Sequence, residues 1–164
     1  MNAQEPEIRD LESRLTDDHH QSLRLWLRML SCSMMIEREI RSRLREQFSI
    51  TLPRFDLMAQ LERYPEGLRM GELSRRMMVT GGNVTGITDQ LEAEGLVIRE
   101  ADHLDRRVYT VRLTEQGRQS FHRMAKVHEG WVKELMSGLP ADEKDQMQNI
   151  LTRLKNHLTD ASRD

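Results

Sequence analysis

Two groups of residues in this chain have types and spacing suited to chemistry. The first is Thr80-Gly81-Gly82-Asn83-Val84-Thr85-Gly86, with Gln90 one helical turn beyond Gly86. Apart from Val84, these residues are small or hydrogen-bonding. On the outer face of a helix they let the backbone approach a ligand closely, and the unpaired N–H groups at a helix start attract anions. The amides of Asn83 and Gln90 match the donor and acceptor that adenine shows in the major groove. Each glycine costs a helix up to about 1 kcal/mol against alanine, so some gain should offset it. The second group is Asp105-Arg106-Arg107. Arginines on a short arm suit a narrow groove or its phosphates, and Asp105 can hold one guanidinium by a bidentate pair. Alone, the first group could be a flexible helix start and the second a solvated charge cluster. Together and in this order they point to nucleic acid. The expected contact set is Thr80, Gly81, Gly82, Asn83, Thr85, Gly86, Gln90, Arg106 and Arg107, with Asp105 in support.

Other chemistry finds little to work with. No Lys-Ser/Thr follows the glycines, so they form no phosphate loop, and neither G-x-S-x-G nor H-E-x-x-H occurs. No enzyme is expected. Cys32 is the single cysteine, which excludes an intrachain disulfide and a thiolate zinc cluster. Its apolar neighbours Leu30, Met34 and Met35 should dull its reactivity. His19, His20, His122, His128 and His157 are scattered, so no metal site is expected, and no cofactor. The formal net charge of −2 gives no global basic footprint, but arginines gather at Arg38, Arg41, Arg43 and Arg45 and again at Arg106, Arg107, Arg112 and Arg118. No apolar run approaches the ~20 residues that span a bilayer, so no membrane partner is expected. The acidic, polar start is unlike a signal peptide, and the expected compartment is a reducing cytoplasm.

The elements that must position these groups follow from periodicity. Residues 1–18 are polar and expected to be frayed or only partly helical. From about His19 to Phe48, Leu23, Leu27, Leu30, Met34, Ile40 and Leu44 mark a long first helix. Pro53 suits the start of a second helix, with Phe55, Met58 and Leu61 as its apolar face. Met70–Met78 reads as a short third helix. Thr80 is expected to cap the fourth, whose inward stripe is Val84, Ile87 and Leu91, and Gly95 to close it in a left-handed conformation. Val97–Ala101 and Val108–Leu113 alternate as strands around the polar tip. Thr114 caps a fifth helix, and Asp142, Glu143 and Asp145 open a sixth, where acid suits the helix dipole. The expected fold is mainly α with a small β-wing, one domain over 1–164. Its winged helix-turn-helix lobe is 53–113, and dimerisation helices lie at 19–50 and 114–162. A homodimer is expected because readers of half-sites are usually symmetric.

A ligand site is conceivable on the first two helices. Trp26, Met29, Met34 and Phe55 supply apolar groups, while Arg38 and Arg45 suit a carboxylate or phosphate. A methionine stripe at helical spacing is more often core, and arginines on a long helix are more often solvated.

From about residue 20 to 160 the chain resembles the MarR family of bacterial transcriptional regulators. The family pattern is a D-x-R/K-D-R-R wing followed by a strand and L-T-x-x-G. Here it reads Asp102-His103-Leu104-Asp105-Arg106-Arg107, then Val111-Arg112-Leu113-Thr114-Glu115-Gln116-Gly117. It stands behind a helix reading Val84-Thr85-Gly86-Ile87-Thr88-Asp89-Gln90-Leu91-Glu92. Leu104 departs from the pattern and removes one basic group. The resemblance implies a triangular homodimer with intertwined terminal helices and two winged lobes. Such dimers bind double-stranded, pseudo-palindromic operator DNA, usually as repressors, and a small aromatic acid or phenol between helices and lobe alters lobe spacing. Leu52-Pro53-Arg54-Phe55-Asp56 and the Gly81–Gly86 segment resemble a branch controlling hydroxycinnamate-type catabolism. The effector would then be an aromatic acid or its aromatic acyl-CoA. The alternative from another class is a winged-helix module for protein–protein contact without DNA binding.

Overall fold

The computed structural model describes residues 20–77, 83–102 and 104–162. The sequence readings for 1–18, Thr80, Gly81, Gly82 and His103 lie outside these residues. The chain divides into two compact units, one ending at His128 and the other running from Glu129 onward.

The first unit opens with α1 (Gln21–Phe48) and α2 (Leu52–Glu62). Thr51 caps α2 by accepting from Arg54 N at 3.4 Å, and Pro53 sits in the first turn, where its missing N–H costs nothing. The expected face of Phe55, Met58 and Leu61 is buried, but so are Leu52, Asp56, Leu57 and Gln60. This helix is enclosed on most sides rather than half-solvated. Next come β1 (Leu68–Arg69), α3 (Met70–Arg76), α4 (Val84–Ala93), β2 (Val97–Ala101), β3 (Tyr109–Leu113) and α5 (Glu115–Leu135), whose last turns belong to the second unit.

The three strands form an antiparallel sheet in the order β1-β3-β2. Leu68 pairs with Val111, and Val97 with Leu113. The expected hairpin is present, while β1, with only two residues, carries no period that sequence reading could detect. The core draws on nearly every element: Leu44, Leu57, Met58, Leu61, Leu73, Leu91 and Val111 are fully buried. Each contributes roughly 1.5–3 kcal/mol through removal from water.

Thr114 and Gly117 lock the sheet to α5. The Thr114 hydroxyl donates to Gly95 O at 2.7 Å and accepts from Gly117 N at 3.0 Å. Gly95, at φ 73°, ends α4 in the left-handed region as expected.

His128 packs its ring 4.9 Å from that of Phe55, which in turn lies 5.4 Å from Phe121. Burial holds the His128 pKa below its ordinary 6.5. The unfolded chain therefore takes up this proton first as pH falls. Its contribution to stability is full above pH 6.5 and is lost as pH drops from there through the lower folded value. Urea titrations from pH 7.5 downward should show stability falling by at most about 1.4 kcal/mol per pH unit from this group. His128→Gln should flatten that fall; an unchanged profile would contradict the assignment.

In the second unit, α6 (Ala141–Ala161) has Asp142 and Glu143 in its first turn, and none of its residues is buried. Met147, Ile150, Leu151 and Leu158 are exposed on it. In the first unit, no residue of α1 from Gln21 to Glu39 is buried either, and Leu23, Leu25, Trp26, Leu30, Met34 and Met35 are exposed. The sequence stripe is real, but within one chain only its end, Ile40 and Leu44, reaches a core.

Candidate nucleic-acid interface

The α4 helix starts one residue after Asn83, so the cap is Asn83 rather than Thr80. Asn83 Oδ1 accepts from Thr85 N at 3.1 Å. That bond uses one of the two lone pairs of Oδ1 and makes Asn83 the residue that sets the start of α4. The inward stripe is wider than expected. Thr88 is fully buried beside Ile87 and Leu91, because its hydroxyl returns to Val84 O at 2.7 Å and leaves no polar group unpaired.

At 100° per residue, the outer arc of α4 has two shoulders. One carries Asn83, Gly86 and Gln90. The other carries Thr85, Asp89 and Glu92 and is held by Arg99 of β2. The Arg99 guanidinium meets Asp89 Oδ1 at 2.5 Å, Glu92 Oε2 at 3.0 Å and Thr85 O at 3.4 Å. Sequence reading missed this residue; an arginine on a strand seven positions after a helix glutamate was its only signal. The consequence is electrostatic. One cation pairs with two carboxylates that would repel a phosphate strand and cancels half of their charge. Glu100 is likewise paired to Arg112, at 2.6 Å, and this pairing raises the Arg112 pKa. The far end of α4 is tied to α2 by an Arg54–Glu94 ion pair. On the first shoulder, a Cβ at Gly86 would meet only the Asn83 side chain, at ordinary contact distances from 3.4 Å upward, so packing within the chain does not require glycine there.

Past β2 the wing turns tightly. Asp102 N donates to Val108 O and Val108 N to Asp105 O. Asp102 Oδ1 accepts from Leu104 N at 2.8 Å while Oδ2 accepts from Arg69 at 3.0 Å. The Leu104 N–H above all, with help from the Asp105 N–H and Arg69, holds the Asp102 carboxyl below its ordinary range. Asp105 does hold Arg107, but not by a two-oxygen fork: Oδ1 alone accepts from Arg107 N at 3.0 Å and Nε at 3.2 Å. The Arg107 side chain remains 91% exposed. Arg106 is exposed as well, and among the described residues it has no ion pair. Leu104, at 98% exposure, is the most projecting apolar group of the tip.

An exposed small-residue helix face with its acids paired to an arginine, followed by an arginine-tipped hairpin, is the geometry of a groove-reading lobe. Residues 50–109 match the MarR family. The fold is a winged helix similar to that of MarR-family regulators. A MarR family transcriptional regulator from Silicibacter pomeroyi superposes with a TM-score of 0.76 at 27% identity, covering 88% of this chain and 99% of that one. The Staphylococcus aureus MepR–DNA complex gives 0.66 at 25% identity, covering 81% and 96%. The HTH-type regulator YkoM of Bacillus subtilis, itself uncharacterised, is 30% identical over 89 residues, 54% of this chain. That alignment spans only 58% of YkoM's length.

The expected ligand group does not assemble within one chain. Phe55 is core. Met34 and Arg38 line a shallow hollow of about 320 Å³ with Glu37 and Arg41. Trp26 stands twelve positions before Arg38, about 18 Å along the helix, and Arg45 a further seven, about 10 Å. Cys32 is exposed, so the shielding expected from its apolar neighbours is absent. None of the described helices is long and apolar enough to cross a membrane.

Proposed function

We propose that this chain is a DNA-binding transcriptional regulator of the MarR family, a repressor that binds a pseudo-palindromic operator as a homodimer and is released by a small aromatic acid or its CoA thioester. The observation that carries the DNA reading is the paired geometry of the α4 face and the wing. Gly86 and Gln90 are presented on a shoulder free of unpaired acid, and Arg106 and Arg107 extend from the tip that follows. The MepR complex with DNA supports it by likeness. In this reading α4 enters a major groove, with Thr80, Gly81, Gly82, Asn83, Thr85, Gly86 and Gln90 nearest the bases or backbone, and the arginines reach the adjacent minor groove.

The dimer is supported by surface chemistry. A 21-residue helix whose apolar stripe is unburied, like α6, is marginal in water without a partner surface. The stripe of α1 has the same need. In sedimentation, the protein should run as a dimer at micromolar concentration. Ile150→Asp with Leu151→Asp should shift it to monomer and weaken operator binding about 100-fold, because linked half-sites lose their avidity. A wild-type monomer would overturn the dimer reading.

Effector release is supported by an exposed Trp26 and the Met34–Arg38 hollow, both on α1, which a dimer would bring against its partner. A panel of aromatic acids and thioesters should contain at least one that raises the melting temperature and releases DNA. If none does either, the effector reading fails.

A further inference from the structure

We propose that the hollow between α3 and the base of the wing is a phosphodiester-binding site in which Arg75 takes a DNA backbone phosphate. This rests on the DNA-binding reading and extends it to a surface apart from α4. The hollow measures about 750 Å³ and is lined by Arg69, Glu72, Arg75, Arg107 and Tyr109, among others. Three guanidiniums from three separate segments face one space beside a single carboxylate. Two of them already have partners: Arg69 meets Asp102 at 3.0 Å and Arg107 meets Asp105 at 3.2 Å. Arg75 has no hydrogen bond or ion pair among the described residues, Glu72 included. Its neighbour shows the contrast. Arg76 donates to Tyr64 Oη at 2.7 Å and stacks on that ring at 4.6 Å. Two adjacent arginines on one helix are thus divided, one serving the fold and one left for an external anion.

The class of anion follows from the shape. The hollow is open and mainly polar, so a free small acid there would stay hydrated and weakly held. A phosphate borne by a duplex already anchored at the wing arrives at high effective concentration. Arg107 belongs both to the hollow and to the tip, so a strand held by Arg106 and Arg107 passes directly onto it. Arginine forks match phosphate geometry, and the half-exposed Tyr109 hydroxyl adds a donor.

The test is the salt dependence of duplex binding by the full chain. Arg75→Ala should make the log–log slope shallower by about 0.9, equally on operator and random duplex, since a phosphate contact carries no sequence information. Arg75→Lys should keep the slope, and Arg76→Ala should leave it unchanged. A wild-type slope in Arg75→Ala overturns the site while leaving the DNA reading intact. So does a phosphate-induced rise in melting temperature that Arg75→Ala abolishes without any change in the DNA slope, because the site would then hold a free anion. A wild-type protein that binds no duplex overturns the DNA reading and this site with it.

Discussion

Changing Arg106 and Arg107 together to alanine should weaken operator binding about 10–100-fold and make the salt slope shallower by up to about 1.8, two phosphate-equivalent contacts. The reason is their placement. Both lie on a turn held by the Asp102–Val108 and Asp105–Val108 backbone bonds, so the tip is stiff while the guanidiniums project. A stiff base lowers the entropy lost when an exposed arginine is ordered against DNA. Neither residue supports the core, so the melting temperature should not move. Asp105→Ala should have a smaller effect, because it frees Arg107 without removing either cation. Retained affinity with an unchanged slope in the double variant would contradict a wing that touches DNA and would favour a protein-binding module instead.

Among the described glycines, Gly117 has the closest backbone approach, and Gly117→Ala should cost about 3 kcal/mol or more. A Cβ there would lie 1.9 Å from Leu96 O and 2.8 Å from its carbonyl carbon. Both are backbone atoms next to the Gly95 turn, so no flexible side chain can move aside. Helix propensity argues the opposite, since alanine in place of glycine in a helix gains about 1 kcal/mol. The same helix supplies the control. Gly130 has nothing within 4 Å of its would-be Cβ, so Gly130→Ala should be neutral or stabilising. Urea denaturation of the two variants separates sterics from propensity. If Gly117→Ala is as stable as wild type, the close approach of α5 to Leu96 is wrong.

That glycine also shows what the sequence conveyed. The L-T-x-x-G run was legible as a motif, and the structure supplies its mechanics: Thr114 bridges Gly95 and Gly117 while Gly117 lets α5 lie on a backbone. Strands β2 and β3, the helix order and the wing turn were legible because each carries a strong local period or turn residue. Three features were not. Strand β1 is two residues long and has no period. Thr88 looks like a surface residue, but its hydroxyl bonds to its own helix and lets it be buried. Arg99 acts through partners on another element, and no local pattern encodes a pairing across a turn. The expected ligand group is not brought together within one chain for a related reason. Trp26, Met34 and Phe55 are alike in composition, but Phe55 sits on a helix enclosed by the core while Trp26 and Met34 sit on a face that no element of the first unit covers. Composition cannot separate those two environments; only packing does.

The most direct test is selection of bound sequences from a random duplex library by the full chain, followed by titration of the enriched duplex across salt concentrations. The expected result is a pseudo-palindrome with half-sites about one or two helical turns apart, bound with a steep negative salt slope. No enriched sequence, together with no duplex binding at low salt, would contradict the assignment of α4 and the wing as a DNA-reading surface.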